Sequence, residues 1–390
     1  MKRIQRWAVR LERRWGVPSY SGWILSGLAI FFFGAATNTM AGWLYVISGV
    51  TAGLLIVAAA LPNRALKGIK VTRQTIAPVM AGNPLSVNVV LTNTTPSSKE
   101  LLVVGDDVPE AFNMHPTQAI EGLRPQESMT WSYQCPSVNR GIYRWNQIYL
   151  RTAAPLGLFW CRRDRSIPAR AVVYPQILDL SQCPLLDDVG QDSSIQVFHQ
   201  HRAQPSTEGL TRALRPYRWG DPTRLIHWRT SARYGELRVR ELEVLSSGET
   251  VLIALDTASD WTAEAFEQAA IAAASLFTYA LRHEMNVTLW TPEFGLVRGV
   301  VNVLETLAAV HPQQGDVQTQ PPADFSIIWL TQSAERLDLL PSRSHSLLWG
   351  DRQSSGSSKA SSGVAGSTVL IDDTQELRSQ LSAPISLSLR

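Results

Sequence analysis

The sequence predicts a multi-domain chain: an α-helical transmembrane hairpin, then an all-β sandwich, then an α/β domain of Rossmann type. Three observations predict it. No Asp, Glu, Lys or Arg occurs from Gly16 to Pro62. Short alternating segments punctuated by turn signals follow. From Thr250 onward, continuous apolar runs alternate with helical patterns. A length of 390 residues exceeds one ordinary domain. The formal charge of +3, from 36 basic and 33 acidic residues, is too small to point to nucleic acid.

The hairpin is read from two apolar runs, 20–36 and 40–61, separated by the polar break Thr37-Asn38-Thr39. A helical span needs about 20 predominantly apolar residues, so each run suits one crossing. Trp15, Trp23, Trp43 and Tyr45 are expected near the interfaces. Basic residues flank both outer ends: Lys2, Arg3, Arg6, Arg10, Arg13 and Arg14 before the first run, and Arg64, Lys67, Lys70 and Arg73 after the second. That asymmetry places both termini in the cytoplasm and the protein in the plasma (inner) membrane as a multi-pass chain. A signal peptide competes for the first run, given its basic flank and the small residues Gly34-Ala35-Ala36. The run is longer than an ordinary signal core. With residues 1–67 assigned to the basic N-terminus and hairpin, lipid is the first expected partner, through residues 20–61.

Residues 68–175 read as strands and turns. Val87-Asn88-Val89-Val90-Leu91 follows the turn signal Gly82-Asn83-Pro84, and Leu101 begins a short apolar run. Thr130-Trp131-Ser132-Tyr133 alternates faces, and Arg140-Gly141-Ile142-Tyr143 opens a further strand, with Pro155-Leu156-Gly157-Leu158-Phe159-Trp160 after it. Strands at this spacing suggest a sandwich of immunoglobulin-like character, with its aromatics in the core. Cys135, Cys161 and Cys183 lie far apart without a CxxC pair, which argues against zinc and against a disulfide framework. A reducing compartment is the simplest setting.

A connecting segment, 176–249, carries eight arginines between Glu208 and Glu243. Gly220-Asp221-Pro222 reads as a turn that feeds a helix from about Pro222 to Arg233, with Asp221 as cap and Gly235 as the left-handed terminator. Leu225, Trp228 and Ala232 are its expected packing face. A strand should follow, with Leu237, Val239 and Leu242 inside and Arg238 and Arg240 outside. Arg218, Asp221, Arg224, His227, Arg229 and Arg233 are the candidate partner- or anion-binding residues, because arginine pairs bidentately with carboxylate or phosphate. The plainer reading is an ion-pair network with Glu236, Glu241 and the other nearby acids. His227, with no Ser, Cys or second His at usable spacing, reads as a packed or hydrogen-bonded residue.

Leu214-Arg215, Tyr217, Gly220-Asp221, Arg224, Ile226-His227-Trp228 and Ser231-Ala232-Arg233, followed by Leu237 and Val239-Arg240-Glu241, resemble the signature of the bacterial domain-of-unknown-function family fifty-eight. Arg140-Gly141-x-Tyr143 and Pro155-Leu156-Gly157-Leu158-Phe159 also look like the family's pattern, although Ala154 stands where an acid is common. The resemblance implies a membrane hairpin, a β-rich region and a von Willebrand A-like domain, with a MoxR-type AAA ATPase as partner.

Residues 250–390 carry the α/β pattern. Val251-Leu252-Ile253-Ala254-Leu255 suits a strand buried on both faces and ends at Asp256. Thr262 or Asp260 caps the next helix, whose buried stripe is Phe266, Ala270, Ala273, Phe277 and Ala280. Strands near Asn286, Ser326, His345 and Thr368 and a helix near Val300 complete the alternation. Residues 351–366, dominated by Ser and Gly, read as a flexible loop. The segment resembles a reduced von Willebrand A domain in placing an acid after its first strand. The metal motif Asp-x-Ser-x-Ser corresponds to Asp256-Thr257-Ala258-Ser259-Asp260. Ala258 offers no oxygen, and Gln332 stands where a further acid is expected. Asp256 and Asp260 are the metal candidates, for Mg²⁺; the favoured reading is that they cap and position the helix, with no cofactor.

Two function classes follow. One is a membrane-anchored cytoplasmic adaptor that docks a protein partner through the arginine-rich signature and the α/β domain. The other is a metal- or phosphate-dependent hydrolase using Asp221, His227 and Asp256. The chain has no Gly-x-Ser-x-Gly, Walker loop or His-Glu-x-x-His, which favours the adaptor and no enzyme.

Overall fold

The N-terminal apolar runs form two antiparallel helices, α1 (Tyr20–Thr39) and α2 (Gly42–Ala65). The chain is described here by a computed structural model over residues 16–187, 204–206, 210–217, 223–244, 250–316, 319–322, 325–339, 344–350, 368–372 and 375–383. Both helices are long and apolar enough to cross a membrane. Phe31 and Ile56 are 67% and 72% exposed, which a water-facing helix pair would not tolerate at such density. The helices meet through small residues, with Ala29 and Ala36 of α1 buried and Ser48 of α2 donating to the Ala29 carbonyl at 2.9 Å. The expected turn at Thr37-Asn38-Thr39 lies further on, at Met40-Ala41. The Thr37 and Thr39 hydroxyls bond back to Gly34 and Ala35 carbonyls, so these polar residues stay helical.

The chain divides into two compact units, Met1–Gln176 and Ile177–Arg390. In the first, two sheets enclose one apolar core. One sheet holds β1 (Val17–Pro18), β3 (Val79–Met80), β5 (Lys99–Asp106), β6 (Thr117–Leu123), β8 (Gly141–Thr152) and β9 (Phe159–Tyr174), in the order β1-β9-β8-β5-β6 with β3 also on β9. The other holds β2 (Ile69–Arg73), β4 (Pro84–Asn93) and β7 (Ser128–Pro136), in the order β2-β4-β7. Strand β4 shows why: Leu85, Val87, Val89 and Leu91 alternate inward at period two and are fully buried. The run beginning at Pro155 is the turn between β8 and β9 rather than a strand, and pairing starts only at Phe159.

A charged clasp joins the two sheets inside this core. Asp106, at the end of β5, accepts from Arg73 of β2 at 2.6 Å, from the Tyr133 hydroxyl of β7 at 2.6 Å and from Trp145 Nε1 of β8 at 2.9 Å. Arg73 also donates to the Ile167 carbonyl at 2.7 Å and lies 5.2 Å from the Trp145 ring centroid. Burial, and then the Asp106 charge, push the Tyr133 hydroxyl far above its ordinary range, so it remains a donor.

The second unit begins with a small antiparallel sheet, β10 (Gln204–Ser206), β11 (Leu210–Pro216) and β12 (Arg238–Val244), ordered β10-β12-β11. A short helix, α3 (Trp228–Tyr234), lies between β11 and β12. A six-stranded mixed sheet follows: β13 (Val251–Leu255), β14 (Val287–Thr291), β15 (Gly295–Val297), β16 (Ser326–Thr331), β17 (His345–Trp349) and β18 (Thr368–Ile371), in the order β15-β14-β13-β16-β17-β18. All its pairings are parallel except β14 with β15. The helices are α4 (Ala263–Arg282), α5 (Val300–Ala309) and α6 (Leu377–Leu381). Thr262 caps α4 by accepting from the Ala265 N–H at 3.3 Å, and Phe266, Ala270, Ala273, Phe277 and Ala280 are buried as their spacing predicts. Residues 351–366 lie outside the described residues.

Candidate functional site

Two neighbourhoods of the second unit hold the candidate residues. In the arginine-rich segment the helix starts later than the sequence suggests. A 3-10 turn occupies Thr223–Leu225, and α3 begins at Trp228 with His227 as its cap. His227 Nδ1 accepts from the Thr230 N–H at 3.2 Å and lies 2.7 Å from its hydroxyl. The imidazole thus caps α3. Asp221 and Arg218 fall outside the described residues, as does the Arg224 side chain. Gly235 terminates α3 with φ +71°, as expected of a left-handed cap.

The packing face also differs from its prediction. Trp228 is 66% exposed and Ala232 is exposed, while Ser231 is buried. The Ser231 hydroxyl donates to the His227 carbonyl at 3.0 Å and accepts from the Arg238 N–H at 2.9 Å, fastening α3 to β12. A small hydroxyl with two backbone partners satisfies that inward position better than an indole would. Leu237, expected inside, is 45% exposed because β12 starts one residue later, leaving Val239 as the buried residue. Glu236 pairs with Arg238 at 2.6 Å, and that guanidinium stacks 4.3 Å from the Tyr234 ring centroid. Arg229 and Arg233 are exposed and have no acidic partner among the described residues.

The second neighbourhood is the carboxyl end of β13. The connections after β13 lead first to β14 on one side and then to β16 on the other, so Asp256 sits where the strand order reverses. Asp256 is fully buried. One carboxylate oxygen is ion-paired with Arg336, from the turn after β16, and the other accepts from the Thr331 hydroxyl at 3.0 Å. The Asp256 carbonyl accepts from Trp261 Nε1 at 2.6 Å and from the Ser259 hydroxyl at 3.2 Å. Asp260 accepts from Gln313 Nε2 at 3.2 Å instead of capping α4, and Gln332 accepts from the Thr262 N–H at 2.8 Å. No hydrogen bond or ion pair joins His227 to Asp256 or Asp260 among the described residues.

Residues 213–293, which span α3, β12, β13 and α4, match the family described as Protein of unknown function DUF58. This segment carries a DUF58 match. The uncharacterized protein YeaD of Bacillus subtilis (strain 168) is 27% identical over 215 residues, covering 52% of this chain and 50% of that one. The chain therefore spans about half the length of the curated relative it matches. Among solved structures, the CARDB domain of a Pyrococcus furiosus protein is 13% identical at a TM-score of 0.18, covering 27% of this chain and 93% of that one. A human ASH/PapD-like domain is 9% identical at 0.18, covering 28% and 88%. Likeness at that level carries no argument.

The Asp256 environment does not suit a hard cation. A guanidinium already supplies the positive charge, the free hydroxyls are turned to Asp256 itself, and the Asp260 carboxylate is engaged elsewhere. Adding millimolar Mg²⁺ or Mn²⁺ should leave the melting temperature of the full chain unchanged. A saturable rise that Asp260→Asn abolishes would show ion binding here, since a ligand of the native state must stabilise it. Arg336, Thr331 and the exposed Trp228 and Tyr234 had no local signal in the sequence. Arg336 in particular follows its carboxylate by 80 positions.

Proposed function

We propose that this DUF58 chain is a membrane-anchored adaptor that docks a protein partner on the surface carried by α3. The supporting observation is the exposure of Trp228 at 66% and Tyr234 at 61% beside the exposed Arg229 and Arg233. Trp, Tyr and Arg dominate the energetics of protein interfaces, and two large aromatics exposed on one short helix form a patch of that composition. The partner implied by the family resemblance is a MoxR-type AAA ATPase, and the arginines suit an acidic surface on it. The parallel strands around Asp256 favour a von Willebrand A-like reading of the α/β domain, with Arg336 in place of a metal. On this reading the protein is not an enzyme.

Binding of the purified full chain to such an ATPase tests the docking. Trp228→Ala should weaken it by roughly 30-fold, the effect of losing a hot spot of about 2 kcal/mol. Its melting temperature should stay within about 2 °C of the parent, because exposed substitutions typically move stability by less than about 0.5 kcal/mol. Equal affinity of variant and parent would remove α3 from the interface, and no affinity in the parent would remove the ATPase as partner.

The basic residues at both outer ends of the hairpin support a cytoplasmic main body for the adaptor. In intact cells an impermeant thiol reagent should label Asn38→Cys, in the exposed last turn of α1, and leave Val138→Cys unlabelled until the membrane is permeabilised. The native cysteines will not interfere. All three are buried, and burial pushes the Cys135 and Cys183 thiols up to about 11. The opposite labelling pattern would reverse the orientation.

A further inference from the structure

The geometry points to the β8–β9 hairpin tip, residues 155–160, as a membrane-surface element: the tip lies in the interfacial layer of the bilayer, and the cations beside it face lipid phosphates. The inference rests on the reading that α1 and α2 span the membrane, and it concerns only the first unit.

Both helix ends that emerge on one side of the hairpin are fixed to β9. At the start of α1, Val17 and Pro18 pair with Trp160 and Phe159, and the Ser19 N–H donates to the Leu158 carbonyl at 2.8 Å. Gly22 lies so close that a Cβ there would stand 2.2 Å from the Leu158 oxygen. Backbone therefore touches backbone, and the tip has no room to swing away from the first turn of the span. At the end of α2, Asn63 Oδ1 accepts from Arg163 Nε at 3.1 Å and from the same guanidinium's Nη2. Two attachments four residues apart on one strand, about 13 Å, hold β9 at the level where both spans leave the hydrocarbon.

The chemistry of this region is ordered as an interface requires. Pro155, Leu156 and Gly157 are exposed at the tip, with Leu156 at 45%. Next come aromatics stacked with arginine: Arg151 lies 4.2 Å from the Trp160 ring centroid and Arg162 lies 3.8 Å from that of Tyr149. Arg162 is neutralised by Asp164 at 2.7 Å and Asp107 at 3.3 Å. Arg64, Lys67, Arg163 and Arg165 have no acidic partner among the described residues. Apolar tip, Trp and Tyr, then uncompensated cations is the sequence of groups met on leaving a bilayer for its headgroups. An anionic phospholipid supplies the missing charge, and continuity with the spans brings it to the site.

The test places an environment-sensitive fluorophore on Leu156→Cys, Val138→Cys or Phe31→Cys of the full chain, reconstituted in vesicles of phosphatidylcholine and phosphatidylglycerol. Val138 precedes β8, at the end of that strand away from the tip, about 35 Å off. Headgroup nitroxide lipids should quench the Leu156 probe severalfold more than the Val138 probe, and deep-chain nitroxide lipids should quench the Phe31 probe. Equal quenching at Leu156 and Val138, with Phe31 still quenched, overturns the seat of the tip. An unquenched Phe31 probe sinks the spanning reading and this inference with it. A nitroxide on phosphatidylglycerol should also quench Leu156 more than the same label on phosphatidylcholine. That preference should vanish in the Arg64→Gln, Lys67→Gln, Arg165→Gln triple variant. No preference in the parent chain overturns the role given to the cations.

Discussion

Replacing Arg336 by Met is expected to lower the melting temperature of the second unit by roughly 6–20 °C. Arg336 is the ionic partner of a carboxylate with no exposed surface. Removing one partner of a buried pair leaves the other charge uncompensated, at a cost of about 3–5 kcal/mol. For a unit of this size, each kcal/mol moves the midpoint by about 2–4 °C. Because the loss comes from the stranded carboxylate, Asp256→Asn in the same chain should restore more than half of it. Scanning calorimetry of the parent, the two single variants and the double variant decides the matter. A single variant that melts within about 2 °C of the parent shows that the pair contributes nothing. A double variant no better than Arg336→Met shows that the guanidinium acts through contacts other than Asp256.

Asp106→Ala should have a similar effect in the first unit. It removes the common acceptor of Arg73, Tyr133 and Trp145, and it leaves the Arg73 guanidinium charged in a site where its side chain is only 2% exposed. The expected loss is about 3–5 kcal/mol. Hydrogen exchange read peptide by peptide separates this from any change in the second unit. The slowest amides of β4 and β8 should exchange about two to four orders of magnitude faster, while those of β13 and β16 keep their parent rates. Unchanged protection in β4 would mean that the clasp is dispensable and the apolar contacts alone hold the sheets together.

These two clusters mark the limit of what the sequence discloses. The hairpin was legible because a membrane excludes charge over a length the chain must obey, and Gly16 to Pro62 obeys it. Strand β13 and helix α4 were legible because burial on both faces and the 3.6 period leave patterns within a short window. The Thr262 cap was legible for the same reason, since its partner is three residues away. Arg336 and Asp256, or Arg73 and Asp106, are brought together only by the completed fold, and no local period announces them. The arginine-rich segment misled in a different way. Its spacing suited a longer helix that buried Trp228, yet the backbone bonds of Ser231 decide the inward face, and a hydroxyl leaves no trace in an apolar pattern.

The parallel arrangement around β13 has a consequence for how the chain reaches its native state. Val251–Leu255 is uncharged, and all five residues are buried. Its β16 partner is translated about 75 residues later, so the pairing must wait while a long loop closes. Until then one edge of the most apolar strand in the sheet stands open to other chains. Strands β8 and β9 face no such delay, since they are joined by a short turn and pair antiparallel as soon as both have emerged. The first unit can therefore form while synthesis continues, whereas a chain cut short before Ser326 leaves β13 without its neighbour and with aggregation as the competing outcome.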